Sequence, residues 1–156
     1  MQKILAATTN KNKLIELQTG AQEYGFEVCF LEDVQKEKNL SSPPDVEEIG
    51  STFKENAFIK AKAYSEWANM PALADDSGLE VVCLNNKPGI YSARYGGEDL
   101  SDAERNQKLL ADIKSLEEQL GTPVERTAFF RCSLCLYVSE SEIIYAEDSL
   151  KGKILD

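Results

Sequence analysis

Residues 74–78 read Ala-Asp-Asp-Ser-Gly and follow directly on the apolar run Met70-Pro71-Ala72-Leu73. Two adjacent carboxylates at the end of a buried strand constrain a fold severely. Burying a charge is costly unless a cation or hydrogen bonds offset it. Adjacent ionised carboxylates also repel each other, and a divalent ion resolves both problems at once. The plain alternative is a turn after a strand, since Asp, Ser and Gly favour turns. A second polar loop, Thr8-Thr9-Asn10-Lys11-Asn12-Lys13, also follows a strand-like run. One loop offers anionic oxygens; the other offers cations and backbone N–H groups. Together they point to a metal-assisted site for a phosphorylated substrate.

The rest of the chain sets bounds on that reading. Its 156 residues fit one domain, 1–156, large enough to bury a core without disulfide staples. A net charge of −10 argues against nucleic-acid duplexes and anionic membranes as partners, because both repel an acidic surface. The N-terminus enters a strand-like run at once, without a signal-peptide pattern, and no apolar run approaches the ~18 residues that span a bilayer. The expected location is the cytoplasm. Cys29, Cys83, Cys132 and Cys135 lie among apolar residues and read as core thiols. Cys132-Ser-Leu-Cys135 matches C-x-x-C, but residues three apart in a strand face opposite ways and cannot easily share a metal or a disulfide.

Periodicity predicts alternating strands and helices, then a meander. Lys3–Thr8 reads as a strand, Lys13–Tyr24 as a helix stopped by Gly25, and Phe26–Leu31 as a second strand. The charged, proline-ending stretch 32–44 reads as loop, and Asp45–Ile49 as a short strand or an extended segment. Ser51 is the expected N-cap of a helix through Asn69, with Phe53, Ala57, Ala61, Tyr64 and Ala68 as its apolar stripe. Met70–Asp75 and Leu79–Leu84 read as strands around the Asp-Asp-Ser-Gly corner, and Asn85–Gly97 as glycine-rich loop. Ser101-Asp-Ala-Glu104 is a capping box opening a helix to Leu120. Arg126–Val138 and Glu142–Asp148 read as a hairpin, followed by a further strand at Lys151–Leu155. The pattern gives an α/β protein with a mixed sheet.

Within that frame, a strand, a polar turn and a helix over residues 3–24 present a positive helix end to an anion. The turn is not a Walker A loop, because the glycines and the Gly-Lys-Ser/Thr ending are missing. Lys60, near the stripe of the 51–69 helix, reads as a snorkelling side chain, or as a phosphate contact if that helix lines the site. Glu47 and Glu48 face opposite ways in an extended segment, so at most one joins Asp75 or Asp76 at a metal. Arg94 lies between aromatics in Tyr91-Ser-Ala-Arg94-Tyr95 and suits bidentate phosphate recognition.

In order, the chain reads T-x-N-x-x-K, E-E-x-G-x-T-F-x-E-N-A-x-x-K-A, P-A-x-A-D-D-S-G-L and P-G-I-Y-S-A-R-Y. This series, over roughly residues 2–155, closely resembles the inosine triphosphate pyrophosphatase family. The resemblance implies an elongated, curved mixed β-sheet flanked by helices, with two lobes and a central cleft. It implies Mg²⁺-dependent hydrolysis of non-standard purine nucleoside triphosphates (dITP/ITP and XTP) to monophosphate and pyrophosphate, as nucleotide-pool house-cleaning. It further implies a homodimer. Position by position, Thr8, Asn10 and Lys13 match the phosphate-side loop, which also holds Thr9, Lys11 and Asn12. Lys60 matches a phosphate-contacting lysine, Asp76 the metal-binding carboxylate and proton acceptor, and Ser77 a substrate contact. Arg94 falls in a motif near the phosphates, and Glu47 or Glu48 matches the second acidic ligand.

Two departures stand out. Thr9 takes a position where the family usually has glycine, which alters backbone approach to the phosphate. Family members also continue with a Phe-Gly-Tyr/Trp-Asp-Pro segment, a lysine, a Ser/Ala-His-Arg motif and a final helix, and these hold the base. This chain ends at Asp156 without any histidine. The expectation is therefore a shortened member whose base pocket is built differently, supplied by a partner, or absent. The alternative is a catalytically weak or inactive nucleotide-binding regulator.

Overall fold

The computed structural model describes residues 2–155. Six strands form one mixed sheet in the order β2-β1-β3-β5-β6, with β4 paired to β3. The strands are β1 (Gln2–Ala6), β2 (Phe26–Cys29), β3 (Ala72–Val81), β4 (Lys87–Pro88), β5 (Thr127–Ser139) and β6 (Glu142–Lys153). Four α-helices accompany them: α1 (Lys11–Glu23), α2 (Leu31–Glu37), α3 (Phe53–Ala68) and α4 (Asp102–Leu120). β1 runs parallel to both β2 and β3, while β4 is antiparallel to β3. The mixed α/β architecture expected from the sequence is the one observed.

Two compact units divide the chain: residues 1–76 with 133–147, and residues 77–132 with 148–156. In the first unit, alanines let helix and sheet approach closely. Ala57 and Ala61 of α3 pack with Ala7, Ala74, Cys135 and Tyr137. A second cluster joins Leu5 and Ala72 to Leu31, Val34 and Ala68. The second unit is centred on Val81, Leu109, Ile113 and Ala128.

Several elements differ from their sequence reading. Residues 31–37 form α2, where the end of a strand at Leu31 and then loop were expected, because Leu31 and Val34 are buried one helical step apart against Leu5 and Ala72. Seven residues give too little periodicity to register as a helix. The N-cap of α3 is Thr52, whose hydroxyl accepts from the Glu55 amide, rather than Ser51. Ser51 instead donates its amide and hydroxyl to Glu55 Oε2. The Asp-Asp-Ser-Gly stretch is not a turn between two strands: β3 continues unbroken through it. β6 likewise continues as one strand where two were expected. The α4 capping box between Ser101 and Glu104 is present as read.

All four cysteines carry thiols. Cys135 lies fully in the core, where burial pushes its thiol up to about 11, so it stays protonated and inert near neutrality. The other three are half-buried rather than core residues.

Candidate functional site

The register of β1 on β3 builds the site. Leu5 lies opposite Ala72 and Ala6 opposite Leu73. The amides of Leu5 and Ala7 donate to the carbonyls of Pro71 and Leu73, each at 2.8 Å. Two parallel strands held this way carry the chain leaving β1 alongside Ala74 and Asp75. Crevices at the carboxyl ends of parallel strands are the usual ligand sites of α/β sheets.

β3 lies inside the sheet, so its backbone groups are engaged by neighbouring strands. The cost falls on its side chains: those of Asp75 and Asp76 are only 10% and 9% exposed. Each finds an ammonium group. Lys13 Nζ, from the first turn of α1, donates to Asp75 Oδ2 at 2.5 Å. Lys60 Nζ, from α3, donates to Glu48 Oε1 at 2.6 Å and lies 3.7 Å from Asp76 Oδ1. Glu48 and Asp76 therefore share one cation. These pairings offset the burial of charge that a lone aspartate would suffer, and they explain why no turn is needed there.

A cavity of about 240 Å³ opens beside these groups. Thr8, Thr9, Lys13, Lys60, Glu48 and Asp75 line it, together with Asp45 and Tyr64. Glu48 faces it while Glu47 is exposed and does not line it. The chain turns tightly here: Ile49 donates its amide to the Glu47 carbonyl at 3.1 Å, with Glu48 at the centre of the turn.

Not every residue of the first loop faces this cavity. Asn10 is the N-cap of α1, its side-chain oxygen accepting from the amides of Asn12 and Lys13. Two of the N–H groups expected to face an anion are thus already bonded within the loop. Lys11 lines a neighbouring, more apolar cavity with Leu14, Ile15 and Phe30. Ser77 follows Asp76 in β3 and is half-buried. Arg94 belongs to the second unit, where its guanidinium lies 5.0 Å from the Tyr91 ring. Sequence reasoning missed Asp45 and Tyr64 as lining residues, and it left Asp75 without a partner. Tyr64 was visible only as part of an apolar stripe.

The donor set suits a hard divalent cation: carboxylate oxygens alone, from Glu48 and Asp76, with Asp45 and Asp75 nearby. Among the described residues, no group of three or more His, Cys, Asp or Glu side chains is arranged to hold a metal by itself.

An α/β sheet that brings carboxylates of β3 and the 45–48 segment to lysines of α1 and α3 around a polar cavity defines a class; sequence comparison makes it specific. The pattern of the Ham1 family matches residues 4–156, and the chain belongs to that family. It is 42% identical over 156 residues to the dITP/XTP pyrophosphatase of Geobacter sulfurreducens, covering 100% of this chain and 73% of that one. It is 44% identical over 157 residues to the dITP/XTP pyrophosphatase of Vibrio parahaemolyticus, covering 99% and 72%. Among solved structures, a HAM1 protein from Coxiella burnetii superposes with a TM-score of 0.85 at 35% identity, over 99% of this chain and 73% of that one. The Ham1 protein of Staphylococcus aureus gives 0.75 at 35% identity, over 99% and 73%.

Proposed function

We propose that the protein hydrolyses non-standard purine nucleoside triphosphates, dITP/ITP and XTP, to the monophosphate and pyrophosphate with the help of Mg²⁺. The observation that carries this reading is the shared cation: Glu48 and Asp76 converge on Lys60 beside a cavity that Lys13 also lines. Three carboxylates line that cavity (Asp45, Glu48 and Asp75), and Asp76 lies 3.7 Å from Lys60 Nζ, against the two ammonium groups of Lys13 and Lys60. That excess would repel a bare triphosphate, and a bound divalent ion would offset it. The names of the relatives agree.

Bound Mg²⁺ supplies charge neutralisation and activation of the attacking water. The chain's own groups do the rest. Asp76 accepts the proton of the attacking water as its oxygen bonds to the α-phosphorus. The α–β bridging bond breaks, and pyrophosphate leaves with the electron pair. Lys13 and Lys60 stabilise the charge that develops on it. Thr8 and Thr9 donate to phosphate oxygens and hold the chain in line. By its resemblance, the protein is taken to act as a homodimer in the cytoplasm.

The test is pyrophosphate release from ITP, dITP, XTP and the standard triphosphates with Mg²⁺. Release from the non-standard purines, and a loss on the order of 10²-fold in Asp76→Asn, is the expected outcome. No release from any nucleotide overturns the enzyme reading, and binding without release replaces it with a regulator. An unchanged rate in Asp76→Asn removes Asp76 from the chemistry.

A further inference from the structure

Asn56 is completely buried on α3, beside the stripe of Ala57 and Ala61 that packs on the sheet. Its Oδ1 accepts from the Gly50 amide at 2.8 Å, while its Nδ2 has no partner among the described residues. A buried amide with one unsatisfied end is costly, and an alanine would suit the surroundings better. The oxygen's bond to Gly50 is what the position gains in return. Gly50 in turn admits no side chain: a Cβ there would lie 2.6 Å from Asn56 Oδ1 and 2.7 Å from Glu55 Cβ. Asn56 and Gly50 thus form a close clasp between α3 and the extended segment before it. The clasp sits two residues from Glu48 on one side and one helical turn from Lys60 on the other. Residues four apart share a helix face, so the same face that grips the segment also presents the ammonium group Glu48 meets.

We infer that Asn56 is a positioning residue: by gripping Gly50, it fixes the register in which Glu48 faces the cavity and shares a cation with Asp76. The inference rests on the reading of Glu48 as an acidic ligand for a divalent ion. It adds that the ligand's aim is set from α3, by a residue that touches neither metal nor substrate.

The experiment measures Mn²⁺ binding to the full chain without nucleotide, by electron spin resonance, in two backgrounds. Glu48→Gln should weaken binding by roughly tenfold or more, and Asn56→Ala should do so by a comparable factor, in the range typical of residues that orient metal ligands. In the Glu48→Gln background, Asn56→Ala should add less than about twofold, because its effect passes through the carboxylate already removed. Gly50→Ala opens the clasp from its other side and should give the same pattern. It decides the question by itself should Asn56→Ala fail to fold. Wild-type Mn²⁺ affinity in Asn56→Ala or Gly50→Ala, or an equal loss in both backgrounds, overturns the inference and leaves the functional reading standing. Unchanged affinity in Glu48→Gln overturns the assignment of Glu48 and the inference with it.

Discussion

Lys60 is the residue on which the site turns, because a single ammonium group serves two carboxylates that a divalent ion would also claim. The side chain is 16% exposed, so its charge is only partly screened by water. On the proposed reading it is the counter-ion that a metal ion would replace, and a substrate phosphate would then be its new partner. Two consequences follow for Lys60→Met. Without metal, Glu48 and Asp76 lose their shared cation, and stability should fall by about 3 kcal/mol, the cost of breaking a buried ion pair from one side. Mn²⁺ affinity should instead rise, by roughly tenfold, since about 1.4 kcal/mol of relieved competition gives that factor. Calorimetric titration and thermal melts on the same variant read both. A variant that binds Mn²⁺ no better than wild type would show that Lys60 supports the ion's site rather than competing for it.

At the scale of elements, the segment 89–97 is tied to α4 by a small polar cluster. Tyr95 donates its hydroxyl to Asp112 Oδ2 at 2.6 Å, and Lys108 donates to both oxygens of Asp112. Burial, with help from the Asp112 bond, pushes the Tyr95 hydroxyl up to about 12. Burial works against the ionised Asp112, but the hydrogen bonds from Lys108 and Tyr95 outweigh it and hold this carboxyl below its ordinary value. A depressed carboxyl stabilises the fold above its unfolded value, about 3.9, and the contribution is lost as pH falls through the folded one. Asp112→Asn should therefore cost about 1 kcal/mol at pH 7, with the gap to wild type closing below about pH 4. A gap that persists undiminished to pH 3 would assign the loss to packing instead. The α4 end of this arrangement was legible in advance, because Ser101 and Glu104 state their capping chemistry within four residues. So were the polar turn after β1 and the α3 stripe. What could not be read was anything set by register. Asp75 meets Lys13 because β1 lies parallel on β3 with Leu5 opposite Ala72. The choice of Glu48 over Glu47 depends on a local turn. α2 escaped because its burial, through Leu31 and Val34, is decided by distant strands. The continuity of β3 through Asp-Asp-Ser-Gly was hidden for the same reason: the lysines that stabilise it come from elsewhere in the sequence.

For the whole molecule, the governing quantity is a net charge of −10, from 27 acidic against 17 basic residues. Self-repulsion of that size lowers the stability of a compact state, and any salt relieves part of it. Stabilisation by Mg²⁺ is therefore no proof of a site unless screening is separated from binding. The two mechanisms differ in how they saturate and where they act. Screening depends on ionic strength and is indifferent to one carboxylate among many. Site binding follows mass action, adding about 2.7 kcal/mol when the ion stands at 100 times its dissociation constant. Melting curves in Mg²⁺ should accordingly exceed those in NaCl of equal ionic strength by several degrees, the scale expected for a stabilisation of that size in a domain of this length. Glu48→Gln and Asp76→Asn should each remove most of this excess while leaving the NaCl response intact. Coincident curves for the two salts, or an excess that survives in both variants, would locate the ion's effect in the general acidic surface and detach Mg²⁺ from the cavity at Lys60.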